Sequence, residues 1–156
     1  MAWARRVVGE TLHREGQKKS VSVLLTGDRE SRRLNRRYLK HDYATDVIAF
    51  DYGEAGDLVV SCQIARRIAK EIGISFKEEL ARYLTHGTLH LLGYNDKKKK
   101  DYQEMHARQE KILSVIANKR RVTPKGRPLP ARSPQNDGRG RAGSRIRRGK
   151  RTDPSC

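Results

Sequence analysis

The chain has 156 residues, of which 35 are Lys or Arg and 18 are Asp or Glu, so its formal net charge is +17. This length suits one domain with a hydrophobic core, and the excess of positive charge indicates a polyanionic partner, nucleic acid first. We expect no secretory signal or membrane-spanning helix, because no run approaches the ~20 apolar residues of a membrane span, and two cysteines are too few for a thiolate zinc cluster.

The first half of the chain predicts two helices and three strands. Residues 4–14 predict a short basic helix, and the alternating, β-branched run at 20–25 predicts a strand. Asp28 is suited to cap an Arg-rich helix that runs to about Leu39. Short strands follow at 47–50 and 58–61. A glycine-containing turn separates these two strands, which makes a hairpin the simplest interpretation.

Three further helices are predicted in the second half. The first spans residues 63–72, and Ser75 with Glu78 then forms a capping box that begins a long, largely apolar helix. A last helix covers about 98–117 and carries one stripe that is mostly apolar. This stripe consists of Tyr102, Met105, Gln109, Ile112, Leu113 and Ile116.

The composition changes at residue 119, where Pro, Gly, Arg and Ser become dominant. Residues 119–156 contain 13 Lys or Arg and 2 Asp, so they carry most of the excess positive charge. Because such a segment cannot bury enough apolar surface to offset its ordering entropy, we expect it to be disordered. The predicted organisation is one domain over residues 1–118, followed by a disordered basic tail over 119–156.

The long apolar helix ends in a motif that predicts a metal site. His86 and His90 are four residues apart, so their imidazoles project from one face of the helix. Gly93 is suited to end the helix in a left-handed cap, after which the chain can fold back and bring Asp96 to both imidazoles. Two nitrogens and one carboxylate oxygen leave the fourth position of a tetrahedral zinc ion open, as in catalytic zinc sites. The motif therefore predicts a metal-dependent hydrolase.

Other interpretations of these residues remain open. Two histidines on a buried helix can be structural core residues, and Asp96 can be the N-cap of the last helix, although Asn95 could cap it instead. A protease of the His-Glu-x-x-His type needs a glutamate directly after the first histidine. Gly87 occupies that position, which argues against peptide hydrolysis of this kind.

Two groups of basic residues accompany the predicted site. Lys97, Lys98, Lys99 and Lys100 follow the third predicted ligand directly. Four cations at a helix N-terminus oppose its dipole, so a nearby polyanionic substrate would favour them, and a solvated loop is the alternative. The Arg-rich helix can follow phosphates or simply face solvent. Its guanidinium groups belong to Arg29, Arg32, Arg33, Arg36 and Arg37.

Three segments, in this order, resemble motifs of one protein family. The nine-residue run that begins at His86, His-Gly-Thr-Leu-His-Leu-Leu-Gly-Tyr, is similar to the signature of the YbeY endoribonucleases, also called rRNA maturation factors. Residues 34–38 together with 42–50 resemble the second family motif, and residues 56–61 resemble the third. The resemblance extends over residues 4–117 and leaves the tail outside.

The resemblance implies a single α+β domain, in which about five helices flank a small mixed β-sheet, with one Zn²⁺ per chain. It implies a single-strand-specific, metal-dependent endoribonuclease that acts in 16S rRNA 3′-end maturation and ribosome quality control. The implied partners are single-stranded RNA, rRNA and the small ribosomal subunit in the cytoplasm, without a membrane or a nucleotide cofactor. His86, His90 and Asp96 are the implied metal ligands.

The chain departs from the family pattern at two positions. The commonest pattern has a third histidine where this chain has Asp96, and an arginine thought to serve the RNA where it has Leu39. Lys40 follows Leu39 and can substitute as a point charge, although it lacks the planar fork of arginine. Because Gly87 stands in place of a base and Leu39 in place of the arginine, a second hypothesis stays open, in which the protein is a non-catalytic, zinc-containing RNA-binding factor for ribosome assembly.

Overall fold

The structure is a computed structural model that describes residues 2–121, with side chains described as far as residue 118. Five helices and three strands lie within this range. The elements are α1 (Ala2–Arg14), β1 (Ser20–Thr26), α2 (Asp28–Leu34), β2 (Val47–Asp51), β3 (Ala55–Ser61), α3 (Cys62–Ile72), α4 (Phe76–Leu91) and α5 (Lys99–Arg121). The predicted tail lies outside the described residues, apart from three residues that continue α5.

The three strands form one mixed sheet in the order β1-β3-β2. β2 and β3 pair antiparallel, with Ile48 opposite Val59, which confirms the predicted hairpin. β1 pairs with β3 in parallel, with Val23 opposite Leu58. The central strand β3 is the most buried of the three, as expected for a strand with a neighbour on each side. Helices and a small mixed sheet in one unit confirm the predicted α+β class.

α4 is the central helix of the core and contacts α1, α3, α5, β2 and β3. Leu84 and Leu89 on this helix are fully buried. Gly87 lets the helix lie close to the sheet, because a Cβ at this position would be 2.8 Å from a methyl carbon of Leu58 and 2.8 Å from one of Val47. The same contact leaves no room for the glutamate of a His-Glu-x-x-His protease.

The predicted Arg-rich helix is correct in its first part only. α2 ends at Leu34, and residues Asn35–Leu39 form a wider, π-helical turn. The buried Asn35 side chain donates from Nδ2 to the carbonyl of Tyr43 at 2.9 Å. Lys40 ends the turn with a left-handed φ of 64°. The extra residue in the turn directs Asn35 inward to this carbonyl, and single π turns of this kind are frequent near functional sites.

Among residues 2–121, every helix is too short or too polar to cross a membrane.

Candidate metal centre

The three predicted ligands lie together at the C-terminal end of α4. The Nε2 atoms of His86 and His90 are 3.1 Å apart. Asp96 Oδ2 is 3.8 Å from His86 Nε2 and 3.6 Å from His90 Nε2. Ligand atoms about 2.1 Å from a tetrahedral zinc ion are about 3.4 Å from one another. The three observed distances bracket this value, so one divalent ion fits between these atoms with small shifts.

A Schellman cap turns the chain back after α4. Gly93 has a left-handed φ of 89°. Its N–H donates to the carbonyl of His90 at 3.0 Å, and the N–H of Tyr94 donates to the carbonyl of Leu89 at 3.1 Å. These two hydrogen bonds define the Schellman motif, in which the left-handed residue is usually glycine. The predicted role of Gly93 is confirmed, and the reversal directs Asp96 to the imidazoles.

Each imidazole is hydrogen-bonded through the ring nitrogen that faces away from the shared centre. His90 Nδ1 is 3.0 Å from the carbonyl oxygen of Tyr94, and His86 Nδ1 is 3.0 Å from Oε1 of Gln109. Oxygen atoms of this type accept hydrogen bonds, so Nδ1 carries the proton in both rings. Metal-binding histidines have this arrangement, in which the second ring nitrogen donates to a carbonyl or carboxylate.

The consequence is that two Nε2 lone pairs face each other across 3.1 Å with no proton between them. This arrangement is repulsive unless a positive charge lies near both atoms. The adjacent Asp96 carboxylate would balance part of the charge of a divalent ion. The chemistry of the donor set therefore fits a metal ion, because two neutral imidazoles and one carboxylate are ordinary zinc ligands.

Burial keeps His86 in the neutral form. Loss of hydration lowers the pKa of His86 below its usual value of 6.5, and a charge on His90 lowers it further. The hydrogen bond that His86 donates to Gln109 and the carboxylates of Asp46 and Asp96 raise the pKa of His86, but they do not outweigh burial. A neutral imidazole is the form that binds a metal, so the environment of His86 favours binding at neutral pH.

We expect the metal-free protein to lose stability as the pH falls below 6.5. The pKa of His86 is about 6.5 in the unfolded chain and lower in the folded protein, so the unfolded chain takes up the proton first. The loss therefore begins near pH 6.5 and ends at the folded pKa. Urea unfolding with EDTA at several pH values measures it. The loss should shrink in a His86→Gln variant but not in His13→Gln, and equal losses in both variants would contradict this assignment.

A cavity of about 200 Å³ lies beside His86. Its walls come from α4, α5 and the residue before β2, and they include Asp46, Arg82, Tyr102, His106 and Gln109. Imidazole, phenol and guanidinium groups can bind phosphates or stack on bases. A larger cavity of about 580 Å³ lies between α1 and β1. None of the residues that line the larger cavity belongs to the His/His/Asp cluster, so we assign the functional site to the smaller one.

The structure argues against one of the two predicted roles of Asp96, that of N-cap for the last helix. α5 begins at Lys99, so Asp96 lies too far before the helix to be its N-cap, and its carboxylate faces the two imidazoles. Asn95 makes the local hydrogen bond instead, because its Oδ1 accepts from the N–H of Lys97 at 3.0 Å. Lys97–Lys100 are exposed, which is compatible both with binding of a polyanionic substrate and with a solvated loop.

Over residues 2–121, no hydrogen bond or ion pair joins the other predicted basic residues to the cluster. Lys40 is exposed, and over residues 2–121 it forms no hydrogen bond or ion pair with the three clustered residues. In α2, Arg32 pairs with Asp42 at 2.9 Å and Arg33 pairs with Glu30. These two guanidinium groups are therefore partly neutralised within the protein, which leaves a smaller free basic surface than the sequence indicated.

Two residues of the site were not predicted from the sequence. Gln109, which is only 4% exposed, accepts from His86, and Asp46 contributes a carboxylate to the same cavity. A polar residue on the buried stripe of the last helix was a usable signal for Gln109. Asp46 lies within a family motif but has no spacing relation to the histidines.

Comparison with known proteins gives a consistent result. The family model for Endoribonuclease YbeY matches residues 1–117. An Endoribonuclease YbeY of Myxococcus xanthus is 40% identical over 120 residues, which cover 69% of this chain and 41% of that protein. One of Porphyromonas gingivalis is 39% identical over 121 residues, which cover 72% of this chain and 80% of that protein. The matched region is thus less than half of the Myxococcus protein.

A solved structure is also similar. The solution structure of TM1509 from Thermotoga maritima aligns with a TM-score of 0.59 at 27% sequence identity. The alignment covers 83% of this chain and 89% of that chain. The similarity therefore extends over nearly the whole described domain and is not confined to the helix that carries the histidines.

Proposed function

Since the chain belongs to the YbeY endoribonuclease family, we propose that it is a metal-dependent endoribonuclease that hydrolyses single-stranded RNA in rRNA maturation. The observation that carries the proposal is the convergence of His86, His90 and Asp96, whose ligand atoms all lie within 4.8 Å of one another. A Zn²⁺ ion would have these three protein ligands and one open position, which is the composition of a catalytic zinc site.

Each residue of the site has a defined part in this proposal. His86 and His90 present neutral Nε2 atoms, and Asp96 supplies a negative charge. The Tyr94 carbonyl and Gln109 keep the two rings in that orientation. When bound, the metal lowers the pKa of a coordinated water to about 7 and so supplies hydroxide at neutral pH.

The surroundings of the cluster support RNA as the substrate. Tyr102 is half exposed and stacks on His106 with ring centroids 5.7 Å apart, next to the cavity beside His86. Bases of single-stranded RNA stack on aromatic side chains of this kind. Lys97–Lys100 and Lys40 would bind phosphates, and the net charge of +17 would attract them. Within the proposal the substrate is the 3′ end of 16S rRNA in the small ribosomal subunit, in the cytoplasm.

The two alternatives have less support. A non-catalytic assembly factor with a structural zinc would normally have four protein ligands, and in the described part of the chain only three ligand atoms converge. A protease of the His-Glu-x-x-His type is disfavoured because position 87 packs against Leu58 and Val47. The family match also favours the endoribonuclease.

Replacing Asp96 tests the metal centre directly. We expect Asp96→Ala to retain less than about one tenth of the wild-type zinc affinity and to lose RNA cleavage, because two ligands hold the ion more weakly than three. Bound metal after dialysis and cleavage of a labelled single-stranded RNA are the measurements. The matched control is Glu71→Ala, an exposed acid on α3, which should resemble wild type. Full metal content and full cleavage in Asp96→Ala would contradict the proposal.

A further inference from the structure

We propose that Glu110 is a positioning residue for the metal centre: acting through Gln109, it fixes which ring nitrogen of His86 carries the proton. This inference rests on the proposed metal-dependent function. Glu110 touches none of the three clustered residues, so its influence has to pass through the amide between them.

The two histidines are held by different kinds of acceptor. His90 Nδ1 faces the backbone carbonyl of Tyr94, and a backbone carbonyl can only accept a hydrogen bond, so the tautomer of His90 is fixed. His86 Nδ1 faces the side-chain amide of Gln109. An amide has an oxygen that accepts and an NH₂ that donates, and the two can exchange places by a half turn. The tautomer of His86 is therefore fixed only if another group orients the amide.

Glu110 supplies that group. Gln109 Nε2 is 3.3 Å from Glu110 Oε1, while Gln109 Oε1 is 3.0 Å from His86 Nδ1. A carboxylate accepts hydrogen bonds only, so the NH₂ of Gln109 must face Glu110. The amide oxygen then faces His86, the proton stays on Nδ1, and Nε2 keeps the lone pair that a metal needs. If the amide were reversed, Nε2 would carry the proton and could not bind a metal.

Arg82 and His106 hold Glu110 in this place. Arg82 Nη1 donates to the same Glu110 Oε1, and His106 Nε2 lies 4.0 Å from that oxygen. Arg82 Nε also lies 3.5 Å from Oε2 of the buried Glu79, which anchors the guanidinium on α4. Arg82 and His86 are one turn apart on α4. An unbroken series of contacts across the α4–α5 interface therefore joins the Arg82–Glu110 ion pair, through Gln109, to His86.

Glu110→Ala tests the inference on the metal-free protein. In wild type we expect ¹⁵N NMR of the histidine rings to show His86 fully protonated at Nδ1. In Glu110→Ala the amide is free to reverse, so His86 should become a mixture of both tautomers, and zinc affinity should fall by about 10- to 100-fold. In Glu110→Gln, Arg82 can only donate, so it should hold the new amide oxygen where Gln109 can still donate to it; this variant should retain most of both properties. The matched control is Glu104→Ala, an exposed acid on the same helix, which should change neither.

A charge-preserving swap separates positioning from a general structural effect. The double variant Gln109→Glu, Glu110→Ala places a carboxylate directly against His86 Nδ1, where it can only accept. We expect this variant to restore the Nδ1–H tautomer and most of the zinc affinity that Glu110→Ala loses. Recovery would not occur if Glu110 served only to stabilise the α4–α5 interface, because the swap leaves Arg82 without its partner at position 110.

The outcomes distinguish this inference from the proposed function. An unchanged Nδ1–H tautomer of His86 in Glu110→Ala would overturn the inference and leave the proposed function intact. A double variant that fails to recover the tautomer would also overturn it. Wild-type protein that binds no zinc would overturn the proposed function. The tautomer is measured without metal, so a change of the His86 tautomer in Glu110→Ala would still support the orienting role of Glu110.

Discussion

Replacing both His86 and His90 by alanine will remove bound zinc and RNA cleavage together. The change leaves Asp96 as the sole remaining member of the cluster in the described part of the chain, and one exposed carboxylate does not hold Zn²⁺ against dialysis. Loss of a residue that merely supports a ligand costs 10- to 100-fold in metal affinity or activity, so loss of two ligands should exceed about 100-fold in both. Metal content and initial rates on single-stranded RNA are the measurements.

The matched control for this variant replaces two other histidines. His13 lies on α1 and His41 follows the π-helical turn, and both are exposed. A His13→Ala, His41→Ala double variant removes the same number of imidazoles and should bind zinc and cleave RNA as wild type does. Thermal unfolding in EDTA should show that both double variants are folded. Wild-type cleavage by the His86→Ala, His90→Ala protein would end the metal-dependent mechanism.

Gly87→Ala will cause a large loss of stability for the addition of one methyl group. The new Cβ would lie 2.8 Å from methyl carbons of both Leu58 and Val47, which are packed between α4 and the sheet. Relieving such overpacking requires the buried Leu58 and Val47 side chains or α4 itself to shift, at a cost of about 1–3 kcal/mol. Alanine gains about 0.5–1 kcal/mol over glycine in a helix, so the expected net loss is about 0.5–2 kcal/mol, or a fall of roughly 2–8 °C in Tm. Thermal and urea unfolding in EDTA measure this cost without any contribution from the metal.

Gly9→Ala is the matched control, and its effect on stability should have the opposite sign. Gly9 lies within α1, and a Cβ there would have no atom within 4 Å. Alanine is favoured over glycine in a helix by about 0.5–1 kcal/mol, so this variant should be slightly more stable than wild type. A Gly87→Ala protein that is as stable as wild type would show that α4 can move away from the sheet at little cost.

Local patterns made most of the fold and the clustering of His86, His90 and Asp96 predictable. The capping box of α4 forms as predicted, with Ser75 accepting from the N–H of Glu78 and Glu78 accepting from the N–H of Ser75. His86, His90 and Asp96 lie within eleven residues, so helix geometry and one glycine cap were enough to bring them together. Such features depend on neighbours in sequence, and the rules of helix capping and periodicity describe them well.

The features that were not predicted depend on contacts between distant segments. Gln109 reaches His86 only because α5 packs against α4, 23 residues away in sequence. The π-helical turn at Asn35–Leu39 depends on where the carbonyl of Tyr43 lies after the chain returns. α5 extends to Arg121 instead of ending near residue 117. Its last residues are basic, and basic residues suit the C-terminal end of a helix as well as a disordered tail. The proposed role of Lys40 remains a prediction.

The fixed position of α4 against the sheet has a consequence for how the ion is loaded and released. Two of the three proposed ligands lie on a helix that cannot shift without disturbing Leu58 and Val47, whereas Asp96 lies on the short connection before α5. An ion held by these three residues would therefore enter or leave by displacement of the Asp96 carboxylate. Substitutions in this connection should therefore alter the rate of metal exchange more than the resting geometry, and the speed of loading can vary independently of the affinity.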